Sequence, residues 1–282
     1  MIEELRVPLS GTDIQNNVND SNDGVKDTDN TFLYRFGNMQ GIGARENQED
    51  AFAFSDVFDS ETVKTRGALA VVADGMGGLQ GGKTASETAV SIVRQGFSTL
   101  NMEVNIAEQL NAVINRAGRE VEKAVNGKGG CTVIAVVIYQ NNLYYSSLGD
   151  SYLYLKRGEY LVRLNRFHTV MTDALAELIE DGLMNPEEVV IHDNPAALTE
   201  FLGKNPQGKI DCFAKPFRLR YGDVLLLCTD GVGGTLNEQQ LYKALSEETP
   251  YSMCASMEES IVSLRKRYQD NYTALVIQCT YP

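Results

Sequence analysis

The chain has 282 residues and carries 38 Asp plus Glu against 25 Lys plus Arg, a formal net charge of −13. Hydrophobic residues make up 43% and charged residues 22%, the proportions of a globular protein with material for a sizeable core. The charge argues against a nucleic-acid binder, which needs a basic face, and two histidines exclude a His-rich metal site.

From the N-terminus, residues 1–31 read as a mobile acidic tail, rich in Asn, Asp, Ser, Thr and Gly from position 10 to 30. A catalytic domain is expected over 32–282. Alternating apolar residues and β-branched runs predict strands over 32–40, 51–58, 67–73, 131–139, 143–147, 152–155, 224–229 and 273–279. Asn141-Asn142 and Arg157-Gly158 read as hairpin turns, which imply antiparallel pairing.

Helical spacing predicts a helix through Ile106, Leu110, Val113, Ile114, Ala117, Val121 and Val125. Residues 84–100 form a second candidate. Residues 252–268 form a third, with Ile261, Leu264 and Tyr268 on one stripe and Arg265–Arg267 as a solvated, cationic last turn. Thr172 reads as the N-cap of a short helix over 174–180, ended by Gly182. Hairpin strands and helices in blocks predict an α+β fold of sheets covered by helices.

The negative charge is uneven. Residues 1–33 hold seven acids and two bases, and residues 173–200 hold eight acids and no Lys or Arg. The rest balances. The five cysteines contain no CxxC pair, and Cys131, Cys228 and Cys279 lie in apolar runs, so buried reduced thiols in a cytoplasmic protein are expected. No basic and apolar leader precedes the chain's first strand, so no signal peptide is expected, and no apolar run is long enough to span a bilayer.

The chemistry lies in acids at the ends of apolar runs. Ala70-Val-Val-Ala73 leads into Asp74-Gly-Met-Gly-Gly78, and Leu225-Leu-Leu-Cys-Thr229 leads into Asp230-Gly231. Leu148-Gly-Asp-Ser151 sits between two β-rich runs. Asp270-Asn271 precedes the last strand, and Arg45-Glu-Asn-Gln-Glu-Asp50 precedes the second. A buried strand delivers its last residue to a fixed place, and glycine beside it permits close approach. Acids brought together repel unless cations neutralise them. Carboxylates favour hard ions such as Mg²⁺, Mn²⁺ or Ca²⁺, and two such ions can activate water and clamp a phosphoryl group. Arg45 offers a planar fork for phosphate. Any single Asp-Gly pair is usually only a turn; five segments in this order are not explained that way.

These pieces, with Gly130-Cys-Thr132 and Asp270-Asn-Tyr-Thr273, resemble the metal-dependent protein Ser/Thr phosphatases of type 2C in their bacterial form. The resemblance runs from about residue 32 to the end. It implies a four-layer αββα sandwich of two antiparallel sheets flanked by helices, with a small flap subdomain over about 165–202. It also implies a centre of two Mn²⁺ or Mg²⁺ ions. Asp74 and the Gly75 carbonyl would serve both or one of these ions, Glu49 one, and Asp230 and Asp270 the other. Asp50 would hold metal-bound water. Asp150, with Asp230, would hold a third, weaker ion, and Arg45 would bind the substrate phosphate.

The implied reaction is hydrolysis of phosphoserine and phosphothreonine in proteins by in-line attack of a metal-bridging hydroxide. The implied partners are phosphoproteins and a cognate Ser/Thr kinase, and the chain is expected to be a monomer with no nucleic-acid or membrane partner. A catalytically silent, phosphatase-like binding module is the alternative, but such relatives lose acids that are all present here. A small-molecule phosphatase is less favoured, because no GxxxxGK[ST] loop occurs.

The chain departs from the family pattern at Tyr152, where Arg usually follows Gly-Asp-Ser, and at Phe167-His168-Thr169 in place of Asp-His-Ser. Leu79 and Lys83 also differ. Met76 stands where some members carry a histidine acid, and Met76 and Met39 read as packing residues. His168 reads as a structural hydrogen-bonding residue rather than an acid, and His192 as exposed. An acidic flap beside the site would favour basic residues around the phosphosite.

Overall fold

The computed structural model describes residues 32–57, 59–77, 81–180 and 194–281. The first half of the chain forms β1 (Leu33–Gly41), β2 (Ala51–Phe54), α1 (Ser60–Arg66), β3 (Ala68–Ala73), β4 (Gly75–Met76), α2 (Gly81–Phe97), α3 (Ile106–Val125), β5 (Gly130–Cys131) and β6 (Val133–Tyr139). The second half forms β7 (Asn142–Leu148), β8 (Tyr152–Arg157), β9 (Tyr160–Arg163), α4 (Val170–Glu180), β10 (Asp211–Cys212), β11 (Phe217–Arg218), β12 (Val224–Cys228), α5 (Asp230–Gly233), α6 (Glu238–Ala244), α7 (Pro250–Ser263) and β13 (Tyr272–Thr280).

Two large antiparallel sheets result, with β4 and β5 paired in a small one of their own. One runs β1-β13-β12-β8-β9, and the other runs β10-β7-β6-β3-β2, with β11 also on β7. Alternation along the strands explains the layers. In β3, Ala70 and Val72 join Ile134, Leu225 and Leu275 in a core between the sheets. Their neighbours Leu69, Val71 and Ala73 face the other way and pack with Val93 of α2 and Ile114 of α3. In β12, Leu226 and Cys228 likewise turn away from the inter-sheet core and pack with Leu241, Met257 and Ile261 of α6 and α7. Three apolar layers thus lie between four layers of structure, the expected αββα sandwich. Full burial of each Leu, Ile or Val side chain contributes roughly 1.5–3 kcal/mol.

The α3 periodicity is borne out: Ile106, Leu110, Ile114, Ala117, Val121 and Val125 are buried along one face. The strand between positions 32 and 40, and those ending at Ala73, Tyr139 and Cys228, also stand where expected. Several boundaries move. The first hairpin turns at Gln140 and Asn141, which take φ of 49° and 60°, so Asn142 already belongs to β7. In the second hairpin Arg157 ends β8 and Gly158 takes the positive φ of 56°. Helix α2 begins at Gly81, three residues before the expected start.

The short helix starts at Val170, where Thr169 Oγ1 accepts the Thr172 amide at 3.3 Å; Thr169, not Thr172, does the capping. Gly182 and His192 lie outside the described residues. Helix α7 stops at Ser263, Arg265 takes φ of 48°, and Tyr268 is 81% exposed, so the expected stripe and cationic last turn are absent. Tertiary hydrogen bonds take over there: the Gln269 carbonyl accepts the Ala44 amide at 2.7 Å and its side chain donates to the Gly231 carbonyl at 2.9 Å. Elements as short as α1, α6, β10 and β11 carry too few residues for periodicity to reveal them.

Candidate metal centre

Five chain segments meet at one end of the sandwich. Strand β3 ends at Ala73 and delivers Asp74, whose amide donates to Thr132 Oγ1 at 3.0 Å while its carbonyl accepts the Thr132 amide at 2.9 Å. Asp230 follows β12 and opens α5. Asp270 stands two residues before β13, and its Oδ1 accepts the Asn271 amide at 2.8 Å. Asn271 also ties in Glu49: its Oδ1 accepts the Glu49 amide at 2.8 Å, and its Nδ2 donates to the carbonyls of Ile42 and Asn47. Asp150 sits in the β7–β8 connection beside Gly149, whose φ of 99° only glycine adopts readily.

Arg45, Glu49, Asp74, Gly75, Asp150, Asp230 and Asp270 all line a single cavity of about 280 Å³. Met76, Gly77, Thr132, Leu198 and Asn271 complete its wall. Of the sequence-predicted residues only Asp50 stands apart. It is 6% exposed, and its Oδ2 accepts the hydroxyls of Thr229 at 2.9 Å and Thr273 at 2.7 Å. With Gln48 it borders a separate cleft of about 700 Å³ against α2. That larger cleft gathers Lys83 and Arg94 beside the acids Asp50 and Glu87.

The electrostatics are those of crowded acids. Burial, then the charges of Asp50, Asp230 and Asp270, push the Asp74 carboxyl well above the usual carboxylate range. Contact between the Asp74 and Asp230 carboxyls raises Asp74 and lowers Asp230. Burial and the Asp270 charge outweigh that and raise Asp230. Asp50 is pushed up to about 7 by burial, against the lowering effect of the two threonine hydroxyls. Burial and Asp230 push Asp150 up to about 6. Arg45 Nη2 contacts Asp270 Oδ2 at 2.5 Å. Among the described residues no three His, Cys, Asp or Glu side chains already close as a ligand set; the acids are held instead in the pairs Asp74–Asp230 and Arg45–Asp270.

Such a cluster fits hard divalent cations. The donors are carboxylates with a glycine carbonyl. The glycines leave room: a Cβ on Gly82 would come within 2.9 Å of Glu49 Oε2.

A family model for protein phosphatase 2C matches residues 42–268. The chain belongs to the protein phosphatase 2C family. It is 26% identical over 227 residues to the serine/threonine phosphatase stp of Listeria innocua, covering 76% of this chain and 86% of that protein. In structure it resembles the serine/threonine phosphatase PstP of Mycobacterium tuberculosis, with a TM-score of 0.71 at 23% identity, over 88% of this chain and 99% of that one. The PstP catalytic domain in complex with two manganese ions gives a TM-score of 0.69 at 23% identity, over 89% of this chain and all of the other.

The departures of this phosphatase 2C member from the family pattern have local explanations. Tyr152 makes an aromatic cluster rather than an ion pair: it stacks on Tyr154 at 5.8 Å and meets Phe167 edge-on at 4.7 Å. Gly233 leaves space for that ring, since a Cβ there would run into it. His168 is 8% exposed, with Nδ1 accepting the Gly149 amide at 3.3 Å and Nε2 donating to the Lys209 carbonyl at 3.1 Å. Both ring nitrogens thus engage the backbone, the hydrogen bonding expected of it. Met39 is buried in the core, whereas Met76 lines the acid cavity. Lys83 faces Glu87 at 3.8 Å on α2.

Sequence reading missed the polar residues that hold the acids: Thr132, Ser151, Thr229, Asn271 and Thr273. Their one signal was position, each within three residues of a predicted acid or inside a motif. Leu198 carried no signal at all.

Proposed function

We propose that this chain is a metal-dependent phosphoprotein phosphatase that hydrolyses phosphoserine and phosphothreonine. One observation carries the reading: seven residues named from the sequence line the same cavity. In the proposal Glu49, Asp74, the Gly75 carbonyl, Asp230 and Asp270 hold two Mn²⁺ or Mg²⁺ ions, and Asp150 with Asp230 holds a weaker third. Bound divalent ions supply Lewis acidity and lower the pKa of water.

The protein's own groups do the rest. Arg45, at the exposed lip, binds and orients the phosphate. Asn271 and Thr132 fix Glu49 and Asp74 through their backbones. Asp50, held by the hydroxyls of Thr229 and Thr273, would hold metal-bound water. Leu198 adds an apolar side chain to the cavity wall.

Residues 32–282 form the catalytic domain in this reading, residues 165–202 the flap, and residues 1–31 the tail. The substrates are phosphoproteins, and a cognate Ser/Thr kinase supplies them. The enzyme acts as a monomer in the cytosol, where its five free cysteines suit a reducing medium. Among the described residues no helix is long and apolar enough to cross a membrane. The test is Mn²⁺-dependent hydrolysis of p-nitrophenyl phosphate and of a phosphothreonine peptide by the wild type and Asp230→Ala. Activity is expected in the wild type alone; absence of metal-dependent activity, or an unaffected variant, overturns the reading.

A further inference from the structure

Asp50 is anchored by one oxygen only. Thr229 Oγ1 and Thr273 Oγ1 both lie on its Oδ2, at 2.9 and 2.7 Å, and its Oδ1 is buried without a partner among the described residues. The hydroxyls have no other role open to them. The Thr273 amide donates to Thr229 Oγ1 at 3.1 Å, and Gln40 Nε2 donates to Thr273 Oγ1 at 3.2 Å. Each hydroxyl has a single proton, and with its lone pairs receiving those donors the proton is left for Asp50. Thr229 and Thr273 are also fastened to each other, because the Thr229 amide donates to the Thr273 carbonyl at 3.0 Å. All three side chains are buried.

The sequence positions give this cluster its reach. Thr229 directly precedes Asp230, Thr273 lies three residues after Asp270, and Asp50 directly follows Glu49. One carboxylate oxygen therefore joins three acid-bearing segments that come from both sheets. A carboxylate held by two hydroxyl protons on one oxygen cannot rotate about its Cβ–Cγ bond without losing both bonds.

We propose that Thr229 and Thr273 are positioning residues of the metal centre, which hold Asp50 by Oδ2 and leave Oδ1 as the oxygen available to the bound ions and their water. This rests on the metal-centre reading above. The demand is for a hydroxyl proton, not for bulk. Valine keeps the shape of threonine, removes the proton and leaves a buried carboxylate short of donors.

The test titrates Mn²⁺ calorimetrically into chelator-stripped wild type, Thr229→Val, Thr273→Val and the matching serine variants, with metal-free melting temperatures recorded for each. The valine variants are expected to bind Mn²⁺ about 10–100-fold more weakly, as loss of an outer partner does at metal sites. Serine is expected to restore binding. In an Asp50→Asn background the valine substitutions are expected to weaken Mn²⁺ no further, because they act through Asp50. Alanine variants replace a valine variant that does not fold. Valine variants that melt lower yet bind Mn²⁺ like the wild type overturn the proposal, as does an undiminished effect in the Asp50→Asn background. Wild type that binds no Mn²⁺ overturns the metal-centre reading itself, an outcome distinct from the other two.

Discussion

The Arg45 guanidinium rests on the Asp270 carboxylate at 2.5 Å, so the proposed phosphate-binding cation sits on a proposed metal ligand. Both side chains are partly exposed, at 57% and 38%. An ion pair this open contributes only about 0–1 kcal/mol, so a divalent ion held by Asp270 would cost little to accommodate and would leave Arg45 free for the substrate. Charge-assisted hydrogen bonds are worth about 1.5–3 kcal/mol, which sets the expected effect of Arg45→Ala at a roughly 10–100-fold rise in KM with a smaller change in kcat. Steady-state kinetics on a phosphothreonine peptide at saturating Mn²⁺ decide it, and an unchanged KM removes Arg45 from phosphate binding.

Asp230 is buried beside the repelling charge of Asp270, while its contact with Asp74 eases it. Asp230→Asn relieves that repulsion and is expected to raise the metal-free melting temperature. The same change is expected to lower Mn²⁺-dependent turnover about 100-fold or more, because a group that acts on the ions is lost. Thermal melts in chelator together with initial rates in Mn²⁺ check both halves. A variant that melts lower without metal contradicts the repulsion argument.

The raised acids also give a pH dependence. Asp50 is raised to about 7 and Asp150 to about 6, from an ordinary value of 3.8, both mainly by burial. A raised folded-state value means the stabilising contribution is complete below about 4 and is lost as pH climbs through 6 to 7. Metal-free protein is therefore expected to melt lower at pH 8 than at pH 5. Mn²⁺ binding near pH 6 is expected to release protons, seen as an enthalpy that changes with buffer ionisation heat. A binding enthalpy independent of buffer counts against this account.

His168 spends both ring nitrogens on the backbone, at Gly149 and Lys209. His168→Ala is expected to cost about 1–3 kcal/mol of stability by stranding those groups. The shape of its kcat–pH profile is expected to match the wild type. Loss of a limb of that profile in the variant assigns His168 a proton-transfer role instead.

The acidic stretch from residue 173 bears on substrate choice. Asp173 is paired with Arg166 at 2.8 Å, which removes one negative charge from the flap's count. The remaining surplus is expected to favour Lys-flanked over Glu-flanked phosphopeptides at low salt. Matched peptides with equal kcat/KM would dispose of that preference.

The sequence by itself determined the α+β class, the α3 face, most strand positions and, with its family resemblance, seven of the residues that line the acid cavity. These are local facts: hydrophobic period depends on near neighbours, and an acid at a strand end is delivered by that strand alone. The tertiary structure decided the rest. The partners of Asp50 are 179 and 223 residues away in sequence, and they meet it only because β12 pairs with β13 and the two sheets stack. The end of α7 was decided in the same way, by bonds from Gln269 to Ala44 and Gly231 rather than by its own apolar stripe. Hydrogen bonds are short and directional, so which threonine reaches which carboxylate oxygen depends on where the strands finally lie.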